Sequence, residues 1–174
     1  MSVSKASLSD LSELLTLVNT TYRGETSAKG WTSEILLLAG DIRIDEEMLT
    51  AYLTNPAITV LKYTNSADQL IGCVYLEQKE EKLYLGMLAV NPEYQSGGIG
   101  RLLLQAAEEH AKQINCHRID MTVIRDRVEL IAYYQRRGYS LTGESFPFPI
   151  EYHKYGKPLK EIILVEMKKE FSAS

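Results

Sequence analysis

One stretch constrains this 174-residue chain more than any other: an apolar, strand-like run over 83–90 that breaks at Asn91-Pro92, turns through Gly97, Gly98 and Gly100, and continues as a helix over 101–111. Strand, glycine turn, helix is an arrangement that builds an anion site out of backbone N–H groups. The helix start leaves its first amides unpaired, and its dipole adds positive potential there. Glycines let the chain turn tightly and let a phosphate approach without meeting a Cβ.

Two common phosphate loops do not fit the spacing. A dinucleotide fingerprint requires G-x-G-x-x-G with an acid about 20 residues on, which Gly97, Gly98 and Gly100 do not give. A nucleotide-triphosphate loop requires Gly-Lys-Ser/Thr, whereas Gly100 is followed by Arg101 and Leu102. What remains is Gln95-x-x-Gly98-x-Gly100.

The length suggests one domain spanning 1–174, large enough to bury a core without staples. Hydrophobic content of 45% and charged content of 24% are those of a soluble globular chain. A net charge of -4 gives no broad nucleic-acid footprint. Tyrosine is abundant, 11 against 3 Phe and 1 Trp, and suits a pocket that is part polar and part apolar. Cys73 and Cys116 lie in apolar runs and read as buried free thiols. His110, His117 and His153 show no metal-ligand spacing with them, so no metal is expected. The chain start has no apolar signal core and no apolar run is long enough to span a membrane. A cytoplasmic setting is therefore expected.

Read in order, 3–6 is a short first strand, and Ser7 or Ser9 caps a helix striped by Leu8, Leu11, Leu15 and Val18. Residues 22–44 are irregular, with a short helix capped by Thr32 or Ser33 and running through Leu38. A further helix covers 45–53, with acids in its first turn. Strands at 57–63, 70–77 and 83–90 are close enough in sequence to be antiparallel neighbours. The strand at 118–123 follows a helical crossover and is expected parallel to 83–90. A helix over 127–137 ends at Gly138. A strand over 139–144, a long loop from Phe146, and a last strand over 161–168 complete the chain.

At this point two segments resemble the GNAT superfamily of acyl-CoA-dependent N-acyltransferases. Residues 89–100, with Gln95-x-x-Gly98-x-Gly100, look like its pyrophosphate loop. Residues 127–139 carry its aliphatic-x-x-Tyr-x-x-x-Gly-aromatic ending, with Tyr134, Gly138 and Tyr139 in place. The resemblance implies an α/β fold: a mixed sheet of about seven strands, antiparallel in its N-terminal half, with a splayed parallel pair around the cofactor loop, and about four helices.

It also implies acetyl-CoA as cofactor. Its pantetheine arm would pair with Leu88 and Val90, and Leu88 or Ala89 would offer the oxyanion its N–H. Gln95, Ser96, Gly97, Gly98, Ile99, Gly100 and Arg101 would hold the pyrophosphate. Tyr134 would donate to the leaving thiolate. Tyr133, its neighbour, is expected to face elsewhere. Arg127 stands where the family often has Asn. It either contacts a CoA phosphate, pairs with Asp126 or Glu129, or is a solvated helix start. Relatives often place a Glu on the strand before the loop, but Gly86 and its neighbours carry no acid. Glu77, Glu34 and Glu144 remain as general bases, or none is needed. Tyr22, Arg23, Trp31, Tyr152 and Tyr155 are expected around the acceptor.

The implied reaction is acetyl transfer to a primary amine of a small molecule, by direct attack in a ternary complex. Arg23 hints at an acceptor that also carries an acid. Protein or peptide N-acetylation and a non-catalytic acyl-CoA sensor are the alternatives. No nucleic acid or membrane partner is expected, and the protein would be a monomer or homodimer.

Overall fold

In a computed structural model the structure describes residues 2–22, 38–39, 43–149 and 157–171. Strand β1 (Ser2–Lys5) leads through a 3-10 turn (Leu8–Asp10) into α1 (Leu11–Tyr22). The Asp10 carboxylate accepts from the Ser7 N–H at 2.9 Å and from Lys62 Nζ at 2.9 Å, so it ties the helix start to the sheet. Leu38 belongs to a two-residue strand, β2 (Leu38–Ala39), not to the end of a helix. It pairs antiparallel with β8 (Lys157–Pro158), a partner no local pattern reveals. The rest of the expected helix there, 32–37, lies outside the described residues. Helix α2 (Glu46–Thr54) is capped by Asp45, whose side chain accepts from the Met48 N–H.

Strands β3 (Ile58–Thr64), β4 (Leu70–Lys79) and β5 (Lys82–Val90) form an antiparallel meander, as their short connections require. The turn after β5 is wound tighter than expected. Pro92–Gly97 is a 3-10 helix, and α3 (Ile99–Gln113) begins two residues before Arg101. Strand β6 (Arg118–Ile124) returns parallel to β5. Helix α4 (Val128–Arg136) ends at Gly138, whose φ of +95° is the left-handed conformation that closes a helix. Strand β7 (Ser140–Pro147) runs three residues beyond the expected end, because Phe146 and Pro147 pair with Leu164 and Ile163 of β9 (Ile163–Glu170). The sheet order is β1-β3-β4-β5-β6-β9-β7.

The two faces of the sheet carry two cores. Leu61, Val74, Leu76, Leu83, Leu85, Ile119 and Met121 pack against Leu103, Leu104, Ala107 and Ala111 of α3 and Tyr134 of α4. Ile58, Val60, Cys73, Tyr75, Met87 and Ala89 face Leu14, Leu17, Val18 and Tyr22 of α1 and Leu49 of α2. This is the period-two alternation of a sheet covered by helices on both sides. Cys73 and Cys116 are buried free thiols, and burial pushes the Cys73 thiol up to about 12.

Among the described residues no helix is long and apolar enough to cross a membrane. Nor, among them, do three His, Cys, Asp or Glu side chains gather as a metal site.

Candidate functional site

The alternation along β5 contains a break that positions the site. Leu83 and Leu85 face the α3 side, yet so do Leu88 and Val90, while Met87 and Ala89 face α1. The parity flips because β5 carries one extra residue between its rungs: Tyr75 pairs with Gly86, but Cys73 pairs with Ala89. Met87, at φ +51°, is the residue that makes the bulge. A methionine held there costs on the order of 1–3 kcal/mol. The return is that Leu88 and Val90 are turned toward α3 and α4.

Beside the bulge, β5 and β6 part. Their ladder consists of Lys82–Arg118, Leu83–Ile119 and Tyr84–Asp120 and then stops, although both strands continue. The expected splay is therefore present. Two cavities open from it.

The smaller, about 210 Å³, is lined by Leu88, Val90, Gln95, Gly98, Gly100 and Arg101 on one side and Leu130, Tyr133, Tyr134 and Arg137 on the other, with Tyr22. Gly98 adopts φ +76°, and among the described residues nothing lies within 4 Å of where its Cβ would be, which leaves open space in front of the helix start. The ladder of α3 begins with Leu102 N–H donating to Gly98 C=O at 3.1 Å, which leaves the amides just before it outside that ladder. Arg101 adds a positive charge. This donor set suits the diphosphate of coenzyme A.

Two carbonyls expected to face the cofactor arm already hold side-chain donors. The Tyr22 hydroxyl donates to Leu88 C=O. Gln95 Nε2 donates to Val90 C=O at 2.9 Å, so the Gln95 side chain braces the loop onto the strand. Each carbonyl keeps a second lone pair.

The larger cavity, about 560 Å³, has aromatic walls from Tyr22, Tyr52, Tyr75, Tyr84, Phe146 and Phe148. Tyr75 meets Tyr52 at a tilt of 58° with 4.6 Å between ring centres and meets Tyr84 edge-on at 6.4 Å. The Tyr75 hydroxyl donates to Glu77 Oε1 at 2.7 Å. Burial, reinforced by that carboxylate, holds the Tyr75 phenol far above its ordinary range. Lys79 Nζ sits 3.9 Å from the same carboxylate and 5.0 Å from the Tyr84 ring centre. Arg43 lies 4.7 Å from the Tyr22 ring centre. Its backbone is fixed by Asn19, whose Oδ1 accepts from the N–H groups of Arg43 at 2.6 Å and Ile44 at 3.0 Å.

The two cavities share Tyr22, Leu88, Leu130 and Tyr134. Tyr134 is 5% exposed. Burial raises its phenol well above the ordinary value near 10, Tyr22, Tyr133 and Tyr139 add to this, and Arg127 pulls the other way. At neutral pH it is a proton-bearing donor.

Of the residues expected around the acceptor, Tyr22 lies at the junction. Arg23, Trp31, Tyr152, Tyr155 and Glu34 lie outside the described residues. Glu77 lines the larger cavity, and Glu144 lines neither. Arg127 is on the wall of the larger cavity, away from the glycine turn, and Asp126 is paired with Lys160 instead. Tyr133 does not face elsewhere: it enters the smaller cavity, in edge contact with Tyr134 at 5.5 Å, because residues one apart on a helix are only about 100° apart. The acceptor side was also expected to draw on 146–156, and Phe146 and Phe148 from that stretch line the larger cavity, whereas sequence reasoning passed over Tyr52, Tyr75, Tyr84 and Arg43. Tyr75 and Glu77 two apart on one strand, facing Gly86 and Tyr84 two apart on the next, were the available signal.

A family model described as "Acetyltransferase (GNAT) family" matches residues 20–139. The Bacillus subtilis protein YdhI is 31% identical over 134 residues, covering 75% of this chain and 74% of that one. The spermine/spermidine N(1)-acetyltransferase of Bacillus subtilis is 28% identical over 69 residues, 39% of this chain and 45% of that one. Among solved structures, the PaiA N-acetyltransferase of Thermoplasma acidophilum in complex with coenzyme A is 21% identical with a TM-score of 0.68, covering 98% of this chain and 100% of that one.

Proposed function

The chain belongs to the acetyltransferase (GNAT) family, an acetyl-CoA-dependent N-acetyltransferase, and on that premise we propose that its acceptor is the primary amine of a small molecule that also carries an anionic group. The observation that carries this is the meeting of a phosphate-suited cavity and an aromatic-walled cavity at Tyr134.

Acetyl-CoA, bound in the smaller cavity, supplies an activated acetyl thioester and a thiol leaving group. The chain's own residues do the rest. Tyr134 Oη keeps its proton at neutral pH and stands ready to give it to the departing sulfur. The bulge aims Leu88 and Val90 at the cleft. Glu77 lies opposite Tyr84, four residues from Leu88, which is about 13 Å along a strand. That is too far for direct proton abstraction at the attacking nitrogen. Its place suits a distal polar group of the acceptor.

A volume of about 560 Å³ falls in the range of roughly 300–1,000 Å³ usual for small-molecule sites. Among the described residues lining it, Arg43, Lys79 and Arg127 outnumber Glu77. Cationic side chains on this wall suit an amine paired with a carboxylate or similar anion. A cationic neighbour lowers the proton affinity of an incoming amine, and only the neutral amine attacks.

The test is a thiol-release assay with acetyl-CoA against amino acids, polyamines, aminoglycosides and short peptides. Turnover of anionic small amines above hydrolysis and above polyamines is expected. Turnover of peptides alone would establish protein acetylation instead. CoA binding with no acceptor across the panel would favour a sensor.

A further inference from the structure

Tyr133 and Arg137 are absorbed by neither the thiolate-side chemistry nor the glycine turn, yet both line the smaller cavity opposite that turn. The Tyr133 hydroxyl fits against α3 only because residue 100 is glycine: a Cβ there would lie 2.7 Å from it. The Arg137 guanidinium stacks on the Tyr133 ring at 3.8 Å and donates from Nη1 to Tyr133 C=O at 3.2 Å. Lys169, itself paired with Glu108, donates to Arg137 C=O at 2.9 Å and fixes its backbone. Arg137 Nε is buried without a hydrogen-bond partner. Among the described residues no carboxylate pairs with this guanidinium. A buried donor left unmade is costly, and a half-sunken guanidinium with spare donors in a fixed fork suits a phosphate.

Resting on acetyl-CoA as the acyl donor of this family, we propose that Arg137 and Tyr133 form the second jaw of the cofactor site, so that a phosphate of coenzyme A held at the start of α3 also accepts from the Arg137 guanidinium and the Tyr133 hydroxyl. The first jaw is the helix start with Gly98, Gly100 and Arg101, and the second is the inner face of α4 with Arg137, which follows its last residue. The charge balance agrees. Burial raises the Tyr133 phenol, while the positive charges of Arg137, Arg101 and Arg136 pull it back down. An anion entering between the jaws meets cationic groups from both helices.

The experiment is calorimetric titration of wild type, Arg137→Gln, Arg137→Lys and Tyr133→Phe with CoA, 3′-dephospho-CoA and pantetheine, which has the thiol arm and no phosphate. For Arg137→Gln, CoA should bind about 10-fold to 100-fold more weakly, the range for hydrogen bonds to a charged group, and pantetheine should be unchanged within about twofold. Arg137→Lys should recover only part of the affinity, because it keeps the charge but loses the planar fork stacked on Tyr133. For Tyr133→Phe the loss should be a smaller one, about threefold to tenfold. If the Arg137→Gln loss persists with dephospho-CoA, the contact is to the diphosphate. If it vanishes, the contact is to the 3′-phosphate and not to the diphosphate held at the start of α3, and the jaw is overturned. An equal loss for CoA and pantetheine, or no loss for CoA, would overturn it. A wild type that binds no CoA would instead overturn the cofactor reading on which it rests.

Discussion

The two cavities that meet at Tyr134 are assembled in different ways. The smaller one is drawn almost entirely from two contiguous stretches, 88–101 and 130–137, each a strand end or helix with its own local geometry. The larger one gathers side chains from positions as far apart as Tyr22 and Leu164, brought together by sheet pairing and by the end of β7. A phosphate binds to backbone amides, and amides are presented by local chain shape. An acceptor is bound by side chains, and their convergence is a tertiary property. One half of the site is thus a local motif, and the other is a product of the whole fold.

The largest effect should come from Gly98→Val. A β-branched residue at φ +76° is strained by about 1–3 kcal/mol and its methyls enter the open space before α3. Blocked phosphate contacts at roughly 1.5–3 kcal/mol each make the loss of CoA affinity on the order of 100-fold. The larger cavity should keep its aromatic packing. Calorimetry with CoA checks it, and unchanged binding would place the cofactor elsewhere.

Next is Tyr134→Phe, at the junction. Turnover should fall by about 100-fold or more while the KM for acetyl-CoA changes little. Because burial holds this phenol above 10, it keeps its proton as pH rises to that value, so no loss of turnover below pH 10 should trace to its ionisation. The pH–rate profiles of wild type and variant, with an accepted amine, test both points. A rate within twofold of wild type would assign the ring to packing.

Glu77→Gln should act on one side only. The acceptor KM should rise about tenfold, through loss of a charged partner, with CoA affinity unchanged within about twofold. A parallel loss of CoA affinity would mean that the two cavities are not separable.

The contrast explains what could be read from the sequence. Gln95-x-x-Gly98-x-Gly100 and the Tyr134–Tyr139 ending marked the smaller cavity, and the strand order marked the splay. The bulge at Met87 was not anticipated, although Gly86 inside a strand is a signal of one. It decides that Leu88 rather than Met87 faces α3 and α4. Tyr52, Tyr75 and Tyr84 were legible as strand and helix residues but not as one aromatic wall, because their meeting depends on the β3-β4-β5 register and on where α2 rests. The β2–β8 pairing joins segments over 100 residues apart and leaves no local trace.

The smallest effect lies away from both cavities and serves as a control. Burial raises the Asp10 carboxyl, but Lys62 and the Ser7 N–H outweigh it and hold it below its ordinary 3.8. In the unfolded chain Asp10 takes up its proton first as pH falls. Its contribution is therefore present above pH 3.8 and is lost as pH drops through the lower folded value. Asp10→Asn should destabilise by about 1 kcal/mol at pH 7, a shift in Tm of about 2–4 °C, with turnover and CoA affinity unaltered. Thermal melts at pH 7 and pH 3 check the size and the sign.

The most direct measurement of the central claim is a crystal structure with CoA bound. The account predicts the thiol arm entering between β5 and β6 beyond the Tyr84–Asp120 rung, the diphosphate at the start of α3, and the sulfur within hydrogen-bond reach of Tyr134 Oη. A cofactor bound outside this cleft, or β5 and β6 paired along their whole length with the ligand present, would contradict it.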